Sequence, residues 1–131
     1  MTYIHQLMGQ PCDVPVGKVL CVGRNYAEHA KELNNPVPTT PMIFMKPSTA
    51  IVGLTSPLAI PQHKGECHHE LEVSVLIGKT LTHAMASDVN DAILGYGLGL
   101  DLTLRDVQND LKQQGHPWEA AKAFDGACPL S

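Results

Sequence analysis

Glu70-Leu71-Glu72-Val73-Ser74-Val75-Leu76-Ile77 alternates polar and apolar side chains as far as Val75, and Gly78 ends the run. A period of two is the signature of a strand whose two faces meet different surroundings. Leu71, Val73, Val75 and Ile77 fall on one face; Glu70, Glu72 and Ser74 fall on the other. Upstream, residues 18–23 form a short apolar run closed by Gly23, the pattern of a buried strand followed by a turn. Asn25 with Glu28 three residues on then predicts a helix, with Ala27, Ala30 and Leu33 on one face and a stop at Asn34-Asn35-Pro36. That helix sets His29 and Glu32 one turn apart on another face. Six prolines between Pro36 and Pro61 forbid a long helix there, and residues 42–45 and 50–54 suit short strands in a loop-rich region that carries Lys46.

Downstream of the alternating segment, Ser87 is expected to cap a short helix on which Val89, Ala92, Ile93 and Tyr96 follow helical spacing. Residues 97–102 read as a strand whose glycines admit close approach by a backbone or ligand. Thr103 with Asp106 signals a further helix, whose apolar face is Leu104, Val107 and Leu111 and which ends at Gly115-His116-Pro117. This order of elements predicts an α+β, β-rich fold of mixed sheets and short helices.

The chain has 131 residues, 44% hydrophobic and 17% charged, which is the make-up of one compact domain over residues 1–131 with a core that needs no disulfide staples. Nine basic against 13 acidic side chains offer no footprint for a phosphate backbone, so nucleic acid is excluded as an expected partner. The start MTYIHQLMGQ lacks a basic segment followed by an apolar one, and no apolar run approaches the roughly 20 residues of a membrane span. The expectation is a soluble, cytoplasmic protein with no membrane partner. Cys12, Cys21, Cys67 and Cys128 form no CxxC pair, which speaks against a zinc ribbon and for buried or idle thiols. Eleven glycines and ten prolines imply many turns, and strands should outnumber helices.

Glu70 and Glu72 project to the same side of their strand, and Asp101 on a second strand is the natural third member of an all-oxygen cluster. Hard cations such as Mg²⁺ or Mn²⁺ take that donor set. The plain alternative is a solvated strand face, and burial decides between them, because adjacent uncompensated carboxylates are costly to bury. His29 and Glu32 are spaced so that the carboxylate can orient the imidazole as a general base; the alternative is an exposed helix pair. His63, His68 and His69 lack metalloprotease spacing, so zinc is not expected. Arg24, Lys46, Arg105 and Lys122 lie beside turns and are compatible with clamping a carboxylate substrate, although each alone reads as a surface charge.

Taken together, five ordered blocks resemble the fumarylacetoacetate hydrolase family, nearest to its short acylpyruvase and oxaloacetate decarboxylase branch. They are Val22-Gly23-Arg24-Asn25-Tyr26-Ala27-Glu28-His29; Phe44-Met45-Lys46-Pro47-Ser48; His68-His69-Glu70-Leu71-Glu72-Val73 with Ile77-Gly78-Lys79; Gly95-Tyr96 with Asp101-Leu102-Thr103-Leu104-Arg105-Asp106-Val107-Gln108; and Pro117-Trp118 with Ala121-Lys122-Ala123-Phe124-Asp125. The resemblance implies that Glu70, Glu72 and Asp101 are ligands of Mg²⁺ or Mn²⁺, that His29 and Glu32 form a catalytic dyad joined by Lys122, and that Arg24, Lys46, Arg105 and Gln108 bind substrate. It implies a metal-dependent hydrolase that cleaves the carbon-carbon bond of acylpyruvates, decarboxylates oxaloacetate, or does both, in a homodimer. It also implies that this chain carries the front portion of the family domain, without the strands that follow. The rival expectation is a non-catalytic binding or assembly subunit, or an inactive family member.

Overall fold

The computed structural model describes residues 3–32, 34, 36 and 38–131, apart from the side chains of Ala27, His29 and Ala30. The chain begins with β1 (Gln6–Leu7), β2 (Gln10–Pro11), β3 (Val19–Gly23), α1 (Ala27–Glu32), β4 (Met42–Lys46) and β5 (Ile51–Gly53). It continues through β6 (Cys67–Ile77), α2 (Ala86–Val89), β7 (Ile93–Leu104), α3 (Arg105–Gln114), α4 (Glu119–Lys122) and β8 (Cys128–Leu130). Among the described residues three sheets result: β1-β2, β3-β4, and a four-stranded sheet in the order β5-β8-β7-β6. Among these pairs the β5-β8 pair is parallel and the others are antiparallel. Strands outnumber helices among the described residues, as the turn-rich composition implies.

The alternating segment is the C-terminal part of β6, which pairs antiparallel with β7 along its whole length. The segment expected as a helix from Ser87 to Tyr96 divides instead. It is helical only to Val89, passes through a 3-10 turn at Asn90–Ala92, and gives Ile93 and Tyr96 to β7. Helical spacing loses here because β6 supplies a continuous ladder of partners, while Gly95, Gly97 and Gly99 are poor helix formers. A register irregularity between Leu76 and Ile77 brings Ile93 opposite Ile77. Ser87 is not the cap either; α2 starts after Met85, whose backbone N–H donates to the Asp88 carboxylate at 2.9 Å.

The glycines of β7 do admit a close approach. A Cβ at Gly97 would sit 2.7 Å from Ser131 Oγ, and one at Gly99 2.9 Å from Leu130 Cδ2, because the side chains of the neighbouring strand β8 and of Ser131 crowd these glycines. The core proper gathers Ala50, Ile51, Ala127 and Cys128, with Tyr3, Val16, Val19, Phe124 and Leu130 packed against it. The outer face of β6 and β7 is apolar and open: Leu71 is 62% exposed, Val73 61% and Tyr96 71%. The accessible surface of 9090 Å² accordingly exceeds the roughly 6,700 Å² expected of a compact monomer of this mass. Among the described residues no helix is long and apolar enough to cross a membrane.

Gly65 fixes the entry to β6. Its φ is +79°, and an added Cβ would lie 2.0 Å from Asp106 Oδ2, the oxygen that accepts the Glu66 backbone N–H at 2.9 Å. Gly65→Ala is expected to lower stability by roughly 1–3 kcal/mol, from left-handed strain plus displacement of Asp106. Thermal unfolding checks this, and an unchanged melting temperature would mean that Asp106 does not anchor the loop.

Candidate functional site

The antiparallel register sets Glu70 directly opposite Asp101, and Glu72 opposite Gly99. Directly opposed residues on one face of a pair hold their Cβ atoms about 5 Å apart. Two like charges there repel, so cations must compensate them. β7 runs without a loop into α3, which places Arg105 and, one turn on, Gln108 beside the same carboxylates; both are buried. The short helix α4 lies against β7 and β4 and delivers Lys122, also buried.

Lys122 Nζ donates to Asp101 Oδ2 at 2.6 Å, to Thr103 Oγ1 at 2.5 Å and to Glu70 Oε2 at 3.0 Å. Arg105 holds the other Glu70 oxygen through Nη2, donates from Nη1 to Gln108 Oε1 at 2.5 Å, and from Nε to His68 Nδ1 at 3.2 Å. Burial pushes the Glu70 carboxyl up, but Lys122 and Arg105 outweigh it and hold this group down at about 2. Lys46, fully buried at the end of β4, turns its ammonium inward. It donates to the carbonyls of Leu102, at 3.2 Å, and Lys122, and lies 2.9 Å from Asp101 Oδ1. That oxygen is buried and has no donor aligned with it, despite the nearby charge.

Glu72 is shifted the other way. Burial raises its carboxyl, the charges of Asp101 and Glu70 add to the rise, and a hydrogen bond from Tyr26 opposes it. Among the described residues no three His, Cys, Asp or Glu side chains stand together as a ready cage for an ion, and Lys122 bridges Glu70 and Asp101. The donor chemistry nevertheless fits a hard divalent cation. Three carboxylates share one face, Glu72 is disfavoured as an anion by burial and then by its acidic neighbours, and Asp101 keeps an unsatisfied oxygen.

Of the other expected site residues, Glu32 closes α1, while the side chain of His29, and with it the dyad geometry, lies outside the described residues. Arg24, at φ +54°, lines the open cleft of about 1840 Å³ that also contains Glu70, Glu72, Asp101 and Lys112. Three participants escape a reading of the sequence. Thr103 does not cap α3, which has no side-chain cap; its hydroxyl receives Lys122 instead. His68 links Arg105 to Glu66, with Nε2 3.2 Å from Glu66 Oε2. Lys112 stands 5.5 Å over the Trp118 ring, and its charged form is disfavoured by burial and then by Arg105, Arg24 and Lys122. Its helical alignment with Arg105 and Gln108 is the one signal that could have found it. Two thiols are quiet: burial, reinforced by the charge of Asp101, pushes Cys21 up to about 12, and burial pushes Cys128 up to about 11.

A cleft ringed by Arg24, Arg105, Lys112 and Lys122 above carboxylates suits a small anion that also meets a cation. Comparison with known proteins agrees with that chemistry. A family model described as fumarylacetoacetate (FAA) hydrolase C-terminal matches residues 18–131. The chain is 56% identical over 127 residues to oxaloacetate tautomerase YcgM of Escherichia coli, covering 97% of this chain and 58% of that protein. A fumarylacetoacetate hydrolase family structure from Yersinia pestis superposes with a TM-score of 0.95 at 50% identity, covering 98% of this chain and 60% of that one. Fumarylpyruvate hydrolase from Pseudomonas aeruginosa, solved with Mn2+ and pyruvate, superposes with a TM-score of 0.82 at 40% identity, covering 88% of this chain and 52% of that one. The chain thus spans somewhat more than half the length of these relatives. It belongs to the fumarylacetoacetate hydrolase family.

Proposed function

We propose that the chain forms the metal- and substrate-binding part of an enzyme acting on small 2-oxo acids, with tautomerisation of oxaloacetate as the first reading. The observation that supports it most is the facing pair Glu70 and Asp101, bounded by Lys122 and Arg105, in a chain 56% identical to an oxaloacetate tautomerase. Glu70, Glu72 and Asp101 would hold the divalent ion, Mg²⁺ or Mn²⁺, which when bound supplies a Lewis acid for a 2-oxo acid. The chain's own groups do the rest. Lys46 fixes Asp101 from below, and Tyr26 orients Glu72. Arg24 and Lys112, which line the cleft, would face a substrate carboxylate, and two such cations suit a dicarboxylate. His29, with Glu32 as the partner that its sequence spacing suggests, would take the proton from C3 of the oxo acid and return it to the 2-oxo oxygen, which is the keto–enol exchange.

The Mn2+ and pyruvate complex of fumarylpyruvate hydrolase favours a second reading, carbon-carbon hydrolysis of an acylpyruvate. There the same base would deprotonate water instead. Decarboxylation of oxaloacetate needs no attacking water and fits the same set of residues.

Thermal unfolding with Mn²⁺, and with Mn²⁺ plus oxalate as a mimic of the oxo-acid enolate, tests the site. A ligand that binds only the native state at a hundred times its dissociation constant stabilises by about 2.7 kcal/mol. Melting is expected to rise with Mn²⁺ and further with oxalate. A cooperative transition indifferent to both would overturn the enzymatic reading and favour a binding subunit.

A further inference from the structure

Lys122 stands where a cation between Glu70 and Asp101 would stand. Its ammonium takes one oxygen from each carboxylate, at 3.0 and 2.6 Å, and the Thr103 hydroxyl at 2.5 Å, so its three donors are all engaged on this face. The side chain is only 4% exposed. Arg105 holds the outer Glu70 oxygen and Lys46 lies beside Asp101 Oδ1 without an aligned hydrogen bond, and neither bridges the two acids. We infer that Lys122 is a built-in counter-cation that fills the carboxylate cluster in the metal-free protein and is displaced when a divalent ion enters. The inference rests on reading Glu70, Glu72 and Asp101 as the ion's ligands.

The physical need is plain. The register forces two carboxylates together as soon as β6 and β7 pair, before any ion is bound, and like charges so placed destabilise the sheet. An internal ammonium removes that repulsion and lets the strand pair form. The same ammonium obstructs the ion, since a dication using these oxygens would repel it at close range. The displaced group has somewhere to go: Nζ already lies 5.0 Å from the centre of the Phe44 ring, whose face attracts a cation. Lys46 is different, because two backbone carbonyls hold it independently of the acids.

Lysine-selective reductive methylation of the native protein, with and without saturating Mn²⁺, tests the exchange, with peptide mass spectrometry reading each lysine. Mn²⁺ binding is followed separately by loss of the free-ion paramagnetic resonance signal. Lys122 is expected to be protected without Mn²⁺ and to react at least tenfold faster with it, while Lys46 stays protected in both. If Mn²⁺ binds and the rate at Lys122 does not change, the displacement is wrong and the metal reading stands. Rapid modification of Lys122 before Mn²⁺ is added would also overturn the displacement. If no Mn²⁺ binds, both the inference and the metal reading fall.

Discussion

Lys46→Met is expected to destabilise the protein by roughly 3–5 kcal/mol, the range for removing one partner of a buried ion pair. Methionine matches the length and much of the volume of lysine, so the change isolates the ammonium. Lys46 has no exposed side-chain surface, and three oxygens face its Nζ: the Leu102 and Lys122 carbonyls and Asp101 Oδ1. The variant would leave two buried carbonyls short of a donor and Asp101 leaning on Lys122 alone. Position compounds the effect. Lys46 ends β4 opposite Val19 of β3 and joins that ribbon to β7 and α4. Urea unfolding measures the result, as a lower midpoint with an unchanged slope. A loss under about 1 kcal/mol would mean that the ammonium is solvated and does not support Asp101.

This inward role shows what a sequence can and cannot disclose. The alternation at residues 70–77 announces a strand and puts Glu70 and Glu72 on one face, because the period of two is local. Asp101 is legible as a third acid because 97–102 also reads as a strand. That Asp101 faces Glu70 rather than Glu72 is a matter of register between segments 31 positions apart, which no local pattern specifies. Lys46 reads as a substrate clamp beside a turn, since nothing near it in sequence says that its partners lie 55 or more residues away. Thr103 with Asp106 has the spacing of a helix cap, yet tertiary partners claim both side chains, Lys122 in one case and the Glu66 backbone in the other. The helix read at 87–96 fails for a related reason: apolar residues at helical spacing also fit a strand once a long partner such as β6 is at hand.

Glu70→Ala is expected to lower turnover of oxaloacetate or an acylpyruvate at least a hundredfold, equivalent to about 2.7 kcal/mol of transition-state stabilisation. The fold should survive, because each cation around Glu70 keeps another partner. Lys122 retains Asp101 and Thr103, and Arg105 retains Gln108 and His68. The variant removes one of three oxygen donors to the divalent ion, so Mn²⁺ affinity should fall at least tenfold in parallel. It also frees Nη2 of Arg105 toward the cleft, where it can bind substrate too firmly or in the wrong place. A rise in substrate affinity alongside the fall in rate would identify that second effect. His29→Ala separates metal from base: it should cost a comparable factor in rate while leaving Mn²⁺ affinity intact, since His29 is outside the proposed ligand set. Wild-type turnover in Glu70→Ala would remove the carboxylate cluster from the reaction. Equal loss of Mn²⁺ affinity in both variants would mean that the two proposed roles are not separate.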